Sequence, residues 1–383
     1  MRKQRNLGVL SIITFVSVLL LAACQSNVGL ATKVEGCGDP NKGTTTKIGG
    51  VTDVGQLEDK SFNEAGWCGT IAGADATGST ARVIVTKDPA DYATNMQTFI
   101  DNGYKIIVTF GFALGNTTAI AAKANPNVKF IGLDQFICIK PDGTPDTRTP
   151  AKCDGNPAKL LPNYQGIVFV EAQAGYLAGI VAGSITKSNV IGTVGGINTI
   201  PPVVNYIAGY VNGAKFVNPN VQVLVQYAST DITKAFNDSA KGKSIAQQMI
   251  GQKADVIFQV AGLTGQGAVE AACDANIYAI GVDVDQFFSL PSTLQKCIVT
   301  SAEKKIKIAI ESAIERIDNG TDNGGNIIND AKSDPVGIGL APYHDLAGLI
   351  TLDIQAKIDA ALAGLKDGSL DPCKGEGKCF GAT

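Results

Sequence analysis

Two α/β lobes, each built on a mostly parallel sheet, are what the sequence predicts, and three observations predict them. Short Val/Ile-rich runs alternate with helix-length segments from residue 47 onward, the pattern of βαβ units. The runs are apolar nearly throughout, as strands buried on both faces of a parallel sheet must be. Eleven such runs in 383 residues are too many for one comfortable sheet, and the length suits two domains.

The first 24 residues stand outside that pattern. Arg2, Lys3 and Arg5 precede the apolar stretch "LGVLSIITFVSVLLL" of 15 residues, which ends in "LAAC". That stretch is short for a membrane span of about 20 residues and reads as an export signal. Small residues before a cysteine form a bacterial lipoprotein box, so Cys24 is expected to become the lipidated first residue of the mature chain. Loss of three cations takes the formal charge from −3 to −6. The expected location is the extracytoplasmic face of a cell membrane, held by lipid. Residues 25–46, rich in Gly and Thr, read as a flexible tether.

The strand expectations are "KIGGVT" (47–52), "RVIVTK" (82–87), "KIIVTF" (105–110), "KFIGLD" (129–134) and "GIVFVE" (166–171). A second set is "VIGTVG" (190–195), "VQVLVQY" (221–227), "DVIFQV" (255–260), "IYAIGV" (277–282), "CIVTS" (297–301) and "VGIGL" (336–340). Helical segments such as "DYATNMQTFIDNG", "AQAGYLAGIVAGSIT" and "KSIAQQMIGQ" lie between them. Residues 47–168 with 284–320 are expected to form the first lobe, and 169–283 with 321–383 the second. The Pro/Gly-rich stretch 140–163 reads as an insertion loop.

Eight cysteines remain after Cys24, an even number in an exported chain, which suggests disulfides. Pairing between sequence neighbours would join Cys37 to Cys68, Cys138 to Cys153, Cys273 to Cys297 and Cys373 to Cys379, although eight cysteines allow 105 connectivities. No CxxC occurs and the chain has one histidine, so a thiolate metal centre is not expected. No cofactor is expected either. The acidic balance argues against a nucleic-acid partner, which needs a basic face.

In an open α/β sheet, ligands bind beyond the carboxyl ends of the strands. Asp53, Asp134 and Asp283 stand there, with Gly111-Phe112 and Ala261-Gly262. Beyond Asp53, "SFNE" reads as a capping box with Ser61 as N-cap and Glu64 reaching back. That would set Phe62 and Asn63 in the first helical turn at the cleft, with Glu58 and Asp59 in a solvated loop. Phe62 is a candidate stacking platform for a flat ligand. Catalytic signatures fail: "KGKS" (241–244) lacks the glycine of a phosphate loop, "GLTGQGAVE" has the wrong glycine spacing, and His344 stands alone as a structural loop histidine. Alternate strand residues point to opposite faces, so Asp283 and Asp285 share a site only if the chain has turned between them.

"VTDVGQLEDKSFNEAGW", "GFALGNTTAIAAKANPNVKFIGLD", "EAQAGYLAG", "AGYVNGAKFVNPNV", "KGKSIAQQMI", "ADVIFQVAGLTGQG", "AIGVDVDQ" and "VTSAEKKI" resemble, in order, the motifs of the basic membrane protein family. These are lipoprotein substrate-binding proteins of ABC transporters, typified by the purine nucleoside receptor. The resemblance spans about residues 47–345. It implies a type I periplasmic-binding-protein fold, two Rossmann-like lobes joined by three crossovers, and no enzymatic activity. It also implies that a purine nucleoside (adenosine, guanosine or inosine) lies between two aromatic rings while carboxylates hold the ribose.

Carried over by motif, Phe62 is the first ring. Asp53 and Asn63 are polar contacts from the first lobe, Asp134 follows the fourth strand, and Gly262 approaches by its backbone. Asp283 would accept from the ribose hydroxyls, and Lys304 closes that end. The second ring falls on Tyr206, whose hydroxyl adds a donor that could shift base preference. Leu263 enlarges the family's glycine loop, and Asn116 stands where many members have aspartate. The implied partners are the permease subunits and a membrane reached through the lipid, with the protein a monomer. The alternatives are a binding protein for another small polar ligand such as a sugar, or a nucleoside-hydrolysing enzyme.

An ionised carboxylate is an acceptor with room for both hydroxyls of a cis-diol. Two or three charged hydrogen bonds with two stacking faces would supply roughly 8–12 kcal/mol gross, enough for micromolar binding after ordering costs.

Overall fold

The computed structural model describes residues 29–380; Cys24 and the expected leader lie outside the described residues. All eleven expected runs form strands, and a twelfth joins them. The first sheet holds β1 (Lys47–Thr52), β2 (Thr80–Ile84), β3 (Ile106–Phe110), β4 (Lys129–Leu133), β5 (Tyr164–Phe169) and β11 (Gly325–Asn329), in the order β11-β5-β4-β3-β1-β2, all parallel. The second holds β6 (Val190–Gly195), β7 (Gln222–Tyr227), β8 (Val256–Val260), β9 (Tyr278–Asp283), β10 (Ile298–Lys304) and β12 (Ile338–Leu340), in the order β12-β10-β9-β8-β6-β7. Only the β10–β12 pair in it is antiparallel.

These sheets redraw the expected lobe boundaries. Residues 298–304, expected in the first lobe, pair in parallel with β9 of the second. Residues 325–329, expected in the second, pair with β5 of the first. The chain therefore crosses between the lobes at about residue 170, at 305 and through 330–337. The β10 run follows directly from β9 through the short helix Gln286–Ser289 and fills the place beside it. Only afterwards does the helix Ile306–Asp318 leave to pack on the helix Phe62–Ala76 of the first lobe.

The central strands are buried as their sequences require: every residue of β3 and β8 is inaccessible or nearly so. Helices Glu171–Ile185 and Pro201–Val217 pack together in the second lobe with almost no space between backbones. A Cβ on Gly175 would come 2.1 Å from Tyr206 O, and one on Gly213 would come 1.9 Å from Tyr176 O. The small residues of "AQAGYLAG" and "AGYVNGA" are thus a packing requirement rather than a flexibility device.

Residues 29–46 do not behave as a free tether. Leu30 and Val83 exchange backbone hydrogen bonds of 2.8 and 2.9 Å on the outer strand β2. Trp67 Nε1 donates to Thr32 O at 2.8 Å, Val34 is buried, and Cys37 is bonded to Cys68. The Gly/Thr composition concealed a segment that covers a sheet edge. The other three cysteine pairs also form as expected: Cys138–Cys153, which pins the loop 140–163, Cys273–Cys297 and Cys373–Cys379. No helix among the described residues is long and apolar enough to cross a membrane.

Candidate ligand-binding site

The carboxyl ends of both sheets open on one cavity, where an open α/β sheet places its ligands. All eight expected site residues within the described chain line it: Asp53, Phe62, Asn63, Asp134, Tyr206, Gly262, Asp283 and Lys304. All but Tyr206, in the second turn of the helix Pro201–Val217, stand where a strand stops or a helix starts, so the fold brings them together from 252 residues of sequence. Among the described residues no group of His, Cys, Asp and Glu has the arrangement of a metal site.

The first-lobe wall is built on the end of β1. Asp53 follows that strand, and its carboxylate lies against the backbone of Gly111, where a Cβ would come within 1.9 Å of Oδ2. Burial, reinforced by the charges of Asp59 and Asp134, pushes the Asp53 carboxyl well above the usual range. The helix start differs from expectation. Ser61 makes no capping bond; the buried Asp59 caps instead. Its carboxylate accepts from the backbone N–H of Ser61 and Asn63, both at 3.0 Å, and of Glu64 at 3.2 Å. Reading Asp59 as solvated failed because aspartate is as good a cap as serine and lies two residues earlier. Desolvation still raises its carboxyl to about 7, against those hydrogen bonds.

Asn63 commits Nδ2 to Gln56 O at 3.2 Å, which leaves its buried Oδ1 without a partner. Asp134 Oδ1 is buried and unpartnered too. Unpaired buried acceptors are costly, and two in one cleft mark a place prepared for a donor-bearing ligand.

The floor is a charge cluster across the lobes. Lys304 Nζ is 2.6 Å from Asp134 Oδ2, 3.6 Å from Asp283 Oδ1 and 3.9 Å from Glu171 Oε1. It also stands 4.9 Å from the centroid of Phe62, 5.6 Å from Phe169 and 5.7 Å from Tyr206, so aromatic faces add to its stabilisation. Burial alone would lower the Lys304 ammonium; Asp134, Asp283 and Glu171 outweigh it and raise it. Glu171 is pushed up to about 8 by burial, against the pull of Lys304. Asp134 and Asp283 both adopt left-handed backbone, φ 56° and 65°, strain that non-glycine residues carry at functional sites.

The second-lobe wall contains Tyr206, Gly262 and a residue that sequence reasoning missed, Phe236. Tyr206 is 1% exposed and its hydroxyl donates to Ala302 O at 3.2 Å. Contrary to expectation, the hydroxyl is committed to the backbone and is not a spare donor for a ligand. Gly262 has φ 54°, the conformation for which glycine is suited. Phe236 follows the short helix Ile232–Ala235, with no strand-end signal to reveal it, and Phe112 beyond the end of β3 lines the cavity as well. His344 is structural, as expected: it bonds to Asp285 at 2.8 Å and stacks on Phe287 at 4.0 Å. Asp285 caps the helix Gln286–Ser289 and does not line the cavity.

The family described as ABC transporter substrate-binding protein, PnrA-like, matches residues 46–358. The chain belongs to this family. It is the substrate-binding protein of an ABC transporter and not an enzyme. The nucleoside-binding protein BmpA of Lactococcus lactis subsp. cremoris is 30% identical over 358 residues, covering 88% of this chain and 92% of that one. An uncharacterized lipoprotein of Pyrococcus horikoshii is 28% identical, covering 89% of this chain and 77% of its own. The crystal structure of a solute-binding protein from Aeropyrum pernix superposes with a TM-score of 0.71 at 21% identity, covering 85% of this chain and 93% of that one. That likeness places the fold among type I periplasmic binding proteins.

Proposed function

We propose that the cleft binds a purine nucleoside and delivers it to the permease of its transporter, with the protein a monomer held to the membrane by lipid on Cys24. The observation that carries this reading is the juxtaposition of the Phe62 ring with two unpartnered acceptors, Asn63 Oδ1 and Asp134 Oδ1, inside one cavity. A ligand that suits them has a flat face and several N–H or O–H donors. A nucleoside has both.

In this reading the base lies against Phe62, with Tyr206 as the facing ring. Asp53 and Asn63 meet its polar edge, and Gly262 lets the second-lobe backbone approach. Asp134, Asp283 and Lys304 hold the ribose. The name of the Lactococcus relative supports nucleoside over sugar, and that of the Pyrococcus relative supports the lipid anchor.

Titration calorimetry on protein stripped of ligand tests the proposal. Adenosine, guanosine and inosine are expected to bind at micromolar concentration or below, cytidine more weakly, and ribose not measurably. Ribose binding as tightly as adenosine would overturn the nucleoside reading, and release of free base from inosine would overturn the receptor itself. Radiolabelled palmitate incorporated into the wild type but not into Cys24→Ala is the expected signature of the anchor.

A further inference from the structure

Three consecutive residues of the first lobe, Asp59, Lys60 and Ser61, are gripped by the second. Gln266 Nε2 donates to Asp59 O at 2.9 Å. Ser289 Oγ at 2.8 Å and Gln286 Nε2 at 3.3 Å both donate to Lys60 O. Ser61 Oγ, buried, donates to Asp283 Oδ2 at 2.7 Å. The partners come from the helix Gly262–Asp274, from the end of β9 and from the helix Gln286–Ser289.

The backbone is shaped for this grip. Lys60 has φ 55°, a left-handed conformation that an ordinary side chain disfavours, and its carbonyl meets two second-lobe donors. Behind it the Asp59 carboxylate ties the segment to the helix start through its three N–H bonds. The segment is thus rigid toward its own lobe and bonded to the other. These bonds run from one lobe to the other, so a cleft that opens at this edge breaks them.

We propose that residues 59–61 are a latch that holds the cleft shut, and that Ser61 is a positioning residue that aims Asp283 at the ligand. Ser61 occupies Oδ2 of Asp283 while Lys304 lies 3.6 Å from Oδ1. The carboxylate is fixed from two sides, one on each lobe. Ser61 also immediately precedes Phe62 and Asn63, so the latch and the first-lobe wall are one continuous segment. The latch deepens the nucleoside reading, which supplies the choice of probe. Bonds that form after the ligand has entered slow its departure and leave its arrival unchanged.

Stopped-flow fluorescence with adenosine tests this. Ser61→Ala is expected to release adenosine about tenfold faster with unchanged association, the loss of one charge-assisted bond. Gln266→Ala, on a half-buried helix position, is expected to release it about threefold faster and guards against a Ser61 variant that fails to fold. If neither variant changes release while both melt like the wild type, the latch is overturned. Positioning has its own readout. Ser61→Ala should erode the preference for adenosine over 2′,3′-dideoxyadenosine, which lacks the hydroxyls, whereas Gln266→Ala should leave that preference intact. Equal effects from both variants would overturn the positioning role. Should the wild type fail to bind adenosine, the nucleoside reading falls, and small-angle scattering judges the latch alone. The double variant is then expected to have a larger radius of gyration than the wild type, and equal radii would overturn it.

Discussion

Lys304 Nζ and Asp134 Oδ2 are 2.6 Å apart, yet one residue ends a strand of the second sheet and the other follows a strand of the first. The ammonium is 2% exposed and serves three carboxylates at once. Lys304→Met, which keeps the length without the charge, strands those carboxylates in low dielectric. The expected cost is about 3–5 kcal/mol of unfolding free energy, the usual price of breaking a buried ion pair. Urea denaturation reads it directly, and unchanged stability would mean that the carboxylates simply take up protons.

Phe62 supplies ring area and no hydrogen bond. Phe62→Ala should weaken adenosine binding by about 1–3 kcal/mol, the worth of one stacked face. Binding of a ligand with no flat group should change little. Calorimetry of both on the same variant separates lost stacking from a collapsed pocket, and unaltered adenosine affinity would remove Phe62 from the site.

The pH dependence follows from the raised carboxyls. Asp59 at about 7 and Glu171 at about 8 lie far above their unfolded values of 3.8 and 4.5. Between those limits the folded protein holds protons that the unfolded chain has released, so stability falls as pH rises. Lys304, raised from 10.5, contributes no slope in that range. Calorimetric melting of ligand-free protein is expected to show Tm declining from pH 5 to pH 8.5, with a shallower decline in Glu171→Gln. A Tm that climbs across this window would contradict the assignment.

The Cys37–Cys68 bond closes a loop of 31 residues and clamps the N-terminal segment to the helix Phe62–Ala76. Chain entropy assigns such a loop roughly 3–4 kcal/mol. Replacing both cysteines with alanine should lower Tm accordingly and expose residues 31–46 to limited proteolysis, read by mass spectrometry. Cys138–Cys153 should matter less to the core, since it pins a surface loop.

Much of this was legible because parallel sheets write themselves plainly. Runs such as "KIIVTF" and "DVIFQV" are apolar throughout because both faces are covered, and the residues after them had to reach the cleft. β11 escaped notice because "GNIIN" carries two apolar residues between asparagines, which suffices only at a sheet edge. Without it the third crossover could not be placed. The fate of Ser61 was illegible for another reason: a serine three residues before a glutamate satisfies the capping pattern, and only tertiary contact decides whether its hydroxyl turns to its own helix or to Asp283. Phe236 illustrates the same limit, since a ring enters the cleft from a loop that no periodicity marks.

The docking of the N-terminal segment bears on how far the receptor can roam. With ordered contacts already made at Leu30, a lipid on Cys24, as proposed, would leave a leash of six residue steps, at most about 22 Å when fully extended. A receptor tethered in that way would roll and tilt on the bilayer surface without diffusing away from it, and its encounters with the permease would become a search in two dimensions.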